Sequence, residues 1–272
     1  MNIFEYSEVV RKLRYFFQDK LGFVEIPAQS RQSILAACED PKTIAQYIFN
    51  GTNWPLPQTG QMWLEHEILR NSDVNGVFCI TTSYRNEPFP IEGRHDKIFP
   101  MFEFESKGTI IDLKKLEKDL LQFIGFDEMK DISYTEACNL FGVNILDDKE
   151  EELIYKNIGE SVSLEYFPQD THPFWNMKQN EDNNLLYNKI DVILCGMETI
   201  GSAERSTDVG SMRNNFNTIS NGEYAKLLYS HFGKERVEKE LEEYFSIPMF
   251  PRFGGGIGVT RLIRAMKIKK II

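Results

Sequence analysis

Cysteine is scarce in this chain of 272 residues, and Cys38, Cys79, Cys138 and Cys195 stand far apart. That scatter excludes the paired spacing of zinc and thiol-redox centres and offers no disulfide framework. An excess of positive charge is also missing. Lys and Arg total 31 against 41 Asp and Glu, a formal net charge of -10, and the densest basic stretch is only Lys267, Lys269 and Lys270 around Ile268. No broad electrostatic footprint for nucleic acid follows from such totals, although a local patch is compatible with them. No apolar run approaches the roughly 20 residues that span a bilayer, so no membrane partner is expected. The N-terminus has no basic-then-apolar leader pattern. These absences point to a cytoplasmic protein with free thiols.

What is present suits a globular fold. A hydrophobic content of 42% and an aromatic content of 12% can fill one large domain, or one domain with an insertion. Val9, Val10, Leu13, Phe16, Phe17 and Leu21 recur at helical spacing, and Gly22 stops the helix. Residues 23–27 alternate as a short strand ended by Pro27, which suits an edge or an interface. Residues 28–60 read as irregular, residues 61–69 as helix, and residues 77–85 and 98–105 as two strands joined by a polar loop. Residues 112–157 read as a helical, acidic insertion within a single domain of residues 1–272. Pattern typical of strands returns over residues 173–200, a helix follows over about 223–245, and a glycine-rich strand and last helix close the chain. Strands that cluster around long insertions, rather than alternating with helices, predict an antiparallel α+β fold.

Three constellations carry chemistry. Gly254, Gly255, Gly256 and Gly258 strip side chains from a strand that runs into Arg261. That is either a tight packing turn or a surface on which a flat ring lies beside a phosphate-binding cation. Arg85 and Glu87 end one strand, Arg94 and His95 sit in the connecting loop, and Phe99, Met101, Glu103 and Glu105 alternate onto one face of the return strand. The group is either a charged hairpin with a solvated tip or a polyphosphate clamp with an aromatic for a base. Asp191, inside an apolar strand, needs a cation or a partner. With Glu198 it can hold magnesium between ATP phosphates, or it can form an internal salt bridge with Arg205.

In this order the blocks resemble the catalytic core of class II aminoacyl-tRNA synthetases of the aspartyl, asparaginyl and lysyl subgroup. Residues 22–27 are similar to the first motif, a dimer element; residues 84–87, 94–95 and 99–105 to the second; residues 254–262 to the third. Residues 191–205 resemble the metal and amino-acid segment, and residues 59–65 and 173–175 resemble asparaginyl-enzyme stretches. The resemblance implies an antiparallel sheet flanked by helices, ATP and Mg2+ as cofactors, and a homodimer. It implies that Arg85 holds the α-phosphate and the reacting carboxylate, Glu87 reads the adenine amino group, and Phe99 and Arg261 sandwich the ring over Gly256 and Gly258. Arg94 and His95 would hold the γ-phosphate, Asp191 and Glu198 the magnesium, and Gln61, Glu103 and Arg205 the amino acid, with Arg85 and Arg261 as the catalytic pair.

Three positions depart from the family pattern. Ile98 stands in place of a glutamate, Thr260 in place of an acidic residue, and Leu64 where aspartyl enzymes carry a substrate-binding lysine. Since Gln61 follows only sixty residues, a catalytic core without a tRNA-reading barrel is expected. The leading functional expectation is an asparagine synthetase-like ligase that adenylates aspartate, or a related amino acid, and transfers it to ammonia or another small nucleophile. The alternatives are aminoacyl transfer to tRNA, a carrier or a protein lysine, and a non-catalytic regulatory paralogue that binds ATP or an amino acid.

Overall fold

The computed structural model describes residues 1–36 and 41–272; Cys38 lies outside them. Cys79, Cys138 and Cys195 are free and buried. Helix α1 (Ile3–Arg14) is capped by Asn2, whose side chain accepts from the amides of Phe4 and Glu5. It continues as a π-helical turn, Tyr15–Lys20, and Gly22 at φ +70° redirects the chain into strand β1 (Val24–Glu25). A left-handed residue at that point is available to glycine without strain. The remaining elements follow in order: β2 (Gln46–Phe49), β3 (Thr52–Pro55), α2 (Gln61–Arg70), β4 (Gly76–Tyr84), β5 (Ile98–Lys107), α3 (Ile110–Ile124), β6 (Lys130–Ser133), α4 (Tyr134–Phe141) and α5 (Asp148–Asn157). Then come β7 (Ser161–Pro168), β8 (Leu186–Leu194), β9 (Met197–Arg205), α6 (Val209–Thr218), α7 (Glu223–Phe232), α8 (Lys234–Phe245), β10 (Arg252–Gly258) and α9 (Val259–Ile268). None of the described helices is long and apolar enough to cross a membrane.

Among the described residues, eight strands form one sheet in the order β1-β4-β5-β10-β9-β8-β7-β6. Pairing is antiparallel throughout the interior and parallel only where β1 meets β4 and β6 meets β7. The expected antiparallel α+β architecture is thus the observed one. Strand alternation gives the sheet two unlike faces. Its back carries Phe78, Phe102, Phe104, Ile190, Val192, Ile200, Phe253 and Ile257, packed against Leu13 and Phe17 of the first helix, Leu113 and Leu120 of α3, and Leu262 and Met266 of α9. Each such side chain contributes roughly 1.5–3 kcal/mol on burial. The opposite face is therefore free to carry charge.

That front face is covered at both ends and open between them. At one end Val77, Cys79 and Ala203 pack under α2 and α6–α8 with Trp175, Phe216, Tyr224 and Leu241. At the other, Val162, Leu164 and Ile193 pack under α4 and α5 with Tyr134, Ala137 and Ile154. In the middle, Gly254 lies opposite Glu105 and Ala203, and Gly256 opposite Glu103 and Gly201. A Cβ on Gly254 would lie 1.7 Å from Glu105 Oε2, whereas one on Gly256 would meet the mobile Met101 Cε at 2.6 Å. We expect Gly254→Ala to cost about 3 kcal/mol, the upper end of overpacking penalties, and Gly256→Ala distinctly less. Equal midpoints in chemical unfolding would contradict that order.

Several sequence expectations are corrected. Residues 28–60 are not wholly irregular, because β2 and β3 form a hairpin. Residues 112–157 are not wholly helical, because β6 pairs with β7 at the edge of the main sheet. The single helix expected over 223–245 divides at Gly233, whose φ of +85° ends α7. Strand β7 and helix α6 were not anticipated.

Candidate active site

A cavity of about 320 Å³ occupies the open middle of the front face, and every site residue named from sequence lines it. Its mouth is cationic. Arg85 leaves the end of β4 with its amide donating to Lys97 O at 2.8 Å, and its guanidinium carbon stands 5.7 Å from the Phe99 ring centroid. Glu87 and His95 line the same mouth, and the His95 ring accepts from the Ile91 amide at 3.3 Å. Arg261, in the first turn of α9, donates from Nη1 to Glu198 O at 2.7 Å and stands 3.6 Å from the Glu198 carboxylate. Gly258 lies at the start of that helix, where a Cβ would sit 3.5 Å from Arg261 Cδ.

Arg94 is held in a way the sequence did not disclose. Its Nε lies 2.8 Å from Asp148 Oδ1 and its Nη2 donates to Glu151 Oε2 at 2.5 Å. Both carboxylates come from α5, so the segment 112–157, which read as a helical, acidic insertion, reaches the site through Arg94.

Asp191 and Glu198 come together through a β-bulge. The β8–β9 register shifts between Val192 and Ile193, pairing Ile193 with Glu198 and turning Glu198 onto the face that already carries Asp191. A Cβ on Gly201 would lie 3.0 Å from Glu198 Oε1 and 3.6 Å from Asp191 Oδ1, so the two carboxylates flank one cradle that only glycine leaves open. Asp191 Oδ2 also stands 2.8 Å from Lys189 Nζ. The salt bridge of Asp191 with Arg205, open on sequence alone, is not formed: Arg205 pairs with Glu105 and Glu65. Among the described residues no group of three or more His, Cys, Asp and Glu side chains could hold a metal. Two carboxylates nonetheless fit magnesium, which keeps several waters and takes its remaining ligands from substrate phosphates.

The inner end of the cavity is buried and densely paired. Glu103, 2% exposed, accepts from the Gly60 amide at 2.7 Å and from the hydroxyls of Thr59 and Thr81. Burial pushes its carboxyl up, against those hydrogen bonds and the Arg85 charge. Arg205 donates to Glu105 from Nε and Nη2 at 3.1 and 3.2 Å. Beneath it, Glu65 of α2 accepts from Arg252 Nη2 at 2.6 Å, Tyr244 Oη at 2.5 Å, Asn176 Nδ2 at 2.7 Å and Gln61 Nε2 at 2.7 Å. Burial raises the Glu65 carboxyl, but Arg252 and Arg205 outweigh it and hold the group at about 2. Gln61 thus reaches the cavity from the first turn of α2, anchored to Glu65. Of these groups, sequence reasoning missed Lys189, Glu65, Arg252, Tyr244, Asp148 and Glu151. Arg252 alone had a local signal, since alternation through Gly254 and Gly256 places it on their face.

The family described as tRNA synthetases class II (D, K and N) matches residues 2–272. The chain belongs to that family. Solved structures agree with the fold of this synthetase-family chain. The asparaginyl-tRNA synthetase of Pyrococcus horikoshii, complexed with asparaginyl-adenylate, aligns over 96% of this chain and 65% of its own, with 20% identity and a TM-score of 0.74. The asparaginyl-tRNA synthetase of Entamoeba histolytica, also with asparaginyl-adenylate, aligns over 98% and 65%, with 18% identity and a TM-score of 0.77. The aspartyl-tRNA synthetase of Entamoeba histolytica aligns over 96% and 55%, with 18% identity and a TM-score of 0.68. The chain therefore spans less than two thirds of the length of these proteins. None of the curated proteins matches it.

Proposed function

We propose that this synthetase-family chain is an ATP-dependent, AMP-forming ligase that activates aspartate or a closely related amino acid. The observation that carries the proposal is one cavity with three parts: arginines 85, 94 and 261 at the mouth, the Asp191 and Glu198 cradle in the middle, and the paired pocket of Glu103 and Arg205 inside. In the reaction a substrate carboxylate oxygen attacks the α-phosphorus of ATP; the new oxygen–phosphorus bond forms as the bond to pyrophosphate breaks. The nucleophile is already ionised, so no general base is required. Arg85 would hold both reactants against their mutual repulsion, and Arg261 with Phe99 would bracket the adenine. Fixed guanidinium groups stabilise the developing charge without reorganising, and orientation supplies the rest. Asp191 and Glu198 would hold magnesium, which supplies charge neutralisation on phosphate oxygens.

For the acceptor we propose ammonia, whose nitrogen attacks the adenylated side-chain carboxyl carbon of aspartate as the bond to AMP breaks and a proton is lost, giving asparagine; another small amine would give the corresponding substituted amide. Supporting this, a chain of net charge -10 gains little from the phosphate contacts that dominate binding to nucleic acid. A second reading, aminoacylation of tRNA, has family membership in its favour. The proposal includes a cytoplasmic homodimer; the exposed Val24 of the first motif, with the exposed Met1, Ile3 and Phe4 at the start of α1, would be covered in it. With labelled aspartate, ATP and ammonium, we expect labelled asparagine and one AMP per product. Acid-precipitable label on tRNA, with none in asparagine, would establish the second reading instead.

A further inference from the structure

Helix α5 starts from a capping box: the Asp147 side chain accepts from the Lys149 amide at 2.8 Å, and Glu150 accepts from the Asp147 amide at 3.0 Å. Such a box fixes the first turn. Asp148 and Glu151, three residues apart, then share the face turned to Arg94. Glu151 Oε2 is doubly engaged. It accepts from the Glu198 amide at 2.7 Å and from Arg94 Nη2 at 2.5 Å. The first contact matters because it gives the Glu198 amide, one residue from the unpaired Thr199 of the bulge, an acceptor on a different element. Arg261 closes the circuit, donating to Glu198 O at 2.7 Å and to Arg94 O at 3.5 Å. Four elements are thereby tied into one ring: α5, the β4–β5 loop, the β9 bulge and the start of α9. The side chains of Arg94 and Glu151 are 11% and 17% exposed, so the pair is well shielded from solvent screening.

We infer that Glu151 is a positioning residue: it pre-assembles the phosphate-binding mouth by fixing the Glu198 bulge and the Arg94 loop against each other before ATP arrives. The inference rests on the ATP-binding reading of the cavity. Its chemistry is separable into two contacts. Glu151→Gln keeps an oxygen for the Glu198 amide but loses the charge that holds Arg94; Glu151→Ala loses both; Asp148→Asn weakens only the Arg94 side.

The test is calorimetric titration of the full chain with ATP and Mg2+, paired with hydrogen exchange over residues 195–199. Glu151→Gln should bind ATP about tenfold more weakly with the Glu198 amide still protected, since a charge-assisted hydrogen bond is lost. Glu151→Ala should bind more weakly again, with faster exchange at Glu198. Asp148→Asn should weaken ATP binding by about threefold, since one ion pair to Arg94 is lost, with exchange unchanged. Wild-type affinity in all three variants would overturn the inference while leaving the ATP site intact. Tighter binding would overturn it too, since the acidic pair would then be a competitor for Arg94. Absence of ATP binding by the wild type would remove the functional reading and the inference together.

Discussion

Arg85→Ala should lower amino-acid-dependent cleavage of ATP by about 10²- to 10³-fold, the loss typical of one preorganised charge-stabilising group. Stability should fall far less than activity, since the side chain gives up its contact with Phe99 and its charge near Glu103. Arg85 lies at the half-exposed mouth, and its backbone anchor to Lys97 O does not depend on the side chain. In the proposed reaction the guanidinium would stand where two anions approach each other, so its removal would strike the transition state more than the fold. Arg85→Lys should rescue little, because an ammonium lacks the planar fork that engages two oxygens at once. Steady-state rates of AMP formation, read beside thermal unfolding, check both halves. A large fall in unfolding temperature with residual activity would make Arg85 a structural residue instead.

Glu65→Gln should have the largest effect on stability, about 3–5 kcal/mol, as expected when one partner of a buried ion pair is removed. Glu65 and Arg252 are each fully buried, and Arg252 Nε has its next carboxylate oxygen, on Glu105, only at 4.0 Å. The sign of the pH dependence follows from the depressed Glu65 carboxyl, about 2 in the fold against an ordinary 4.5. Its contribution is complete above about pH 4.5 and is lost as the pH falls toward 2, a change of about 3 kcal/mol. Denaturant titrations between pH 5 and 2 should show that loss in the wild type, and the Gln variant should lack it. Parallel curves for the two proteins would show that Glu65 carries no such charge in the fold.

That the candidate residues converge on one cavity was legible in the sequence because many of them sit on regular elements with clear periodicity. Alternation along β5 put Phe99, Met101, Glu103 and Glu105 on one face, and the registers with β4 and β10 agree. The glycines, ambiguous alone, become intelligible once Glu105 and Glu103 are seen across the strand. What escaped was long-range. Glu65 lies in a segment read only as helix, and its partner Arg252 is 187 residues away. Glu151 reads as one of an acidic run in water, and only the packing of α5 on β8 and β9 brings it to Arg94. Strand β7 escaped because its alternate residues Ser161, Ser163 and Glu165 look solvent-facing; they are buried, and Glu165 accepts from Ser163 Oγ at 2.7 Å. Polar groups that satisfy one another in the interior carry no hydrophobic signal.

The central claim is that this cavity joins an amino-acid carboxylate to the α-phosphate of ATP. The most direct measurement is to follow the nucleotide products while each amino acid is supplied in turn, with ammonium present so that a slow exchange step cannot mask turnover. Amino-acid-dependent release of AMP and pyrophosphate, greatest with aspartate or a close analogue and lost in Arg85→Ala, is the predicted result. Release of ADP and phosphate, or ATP cleavage indifferent to every amino acid, would contradict it.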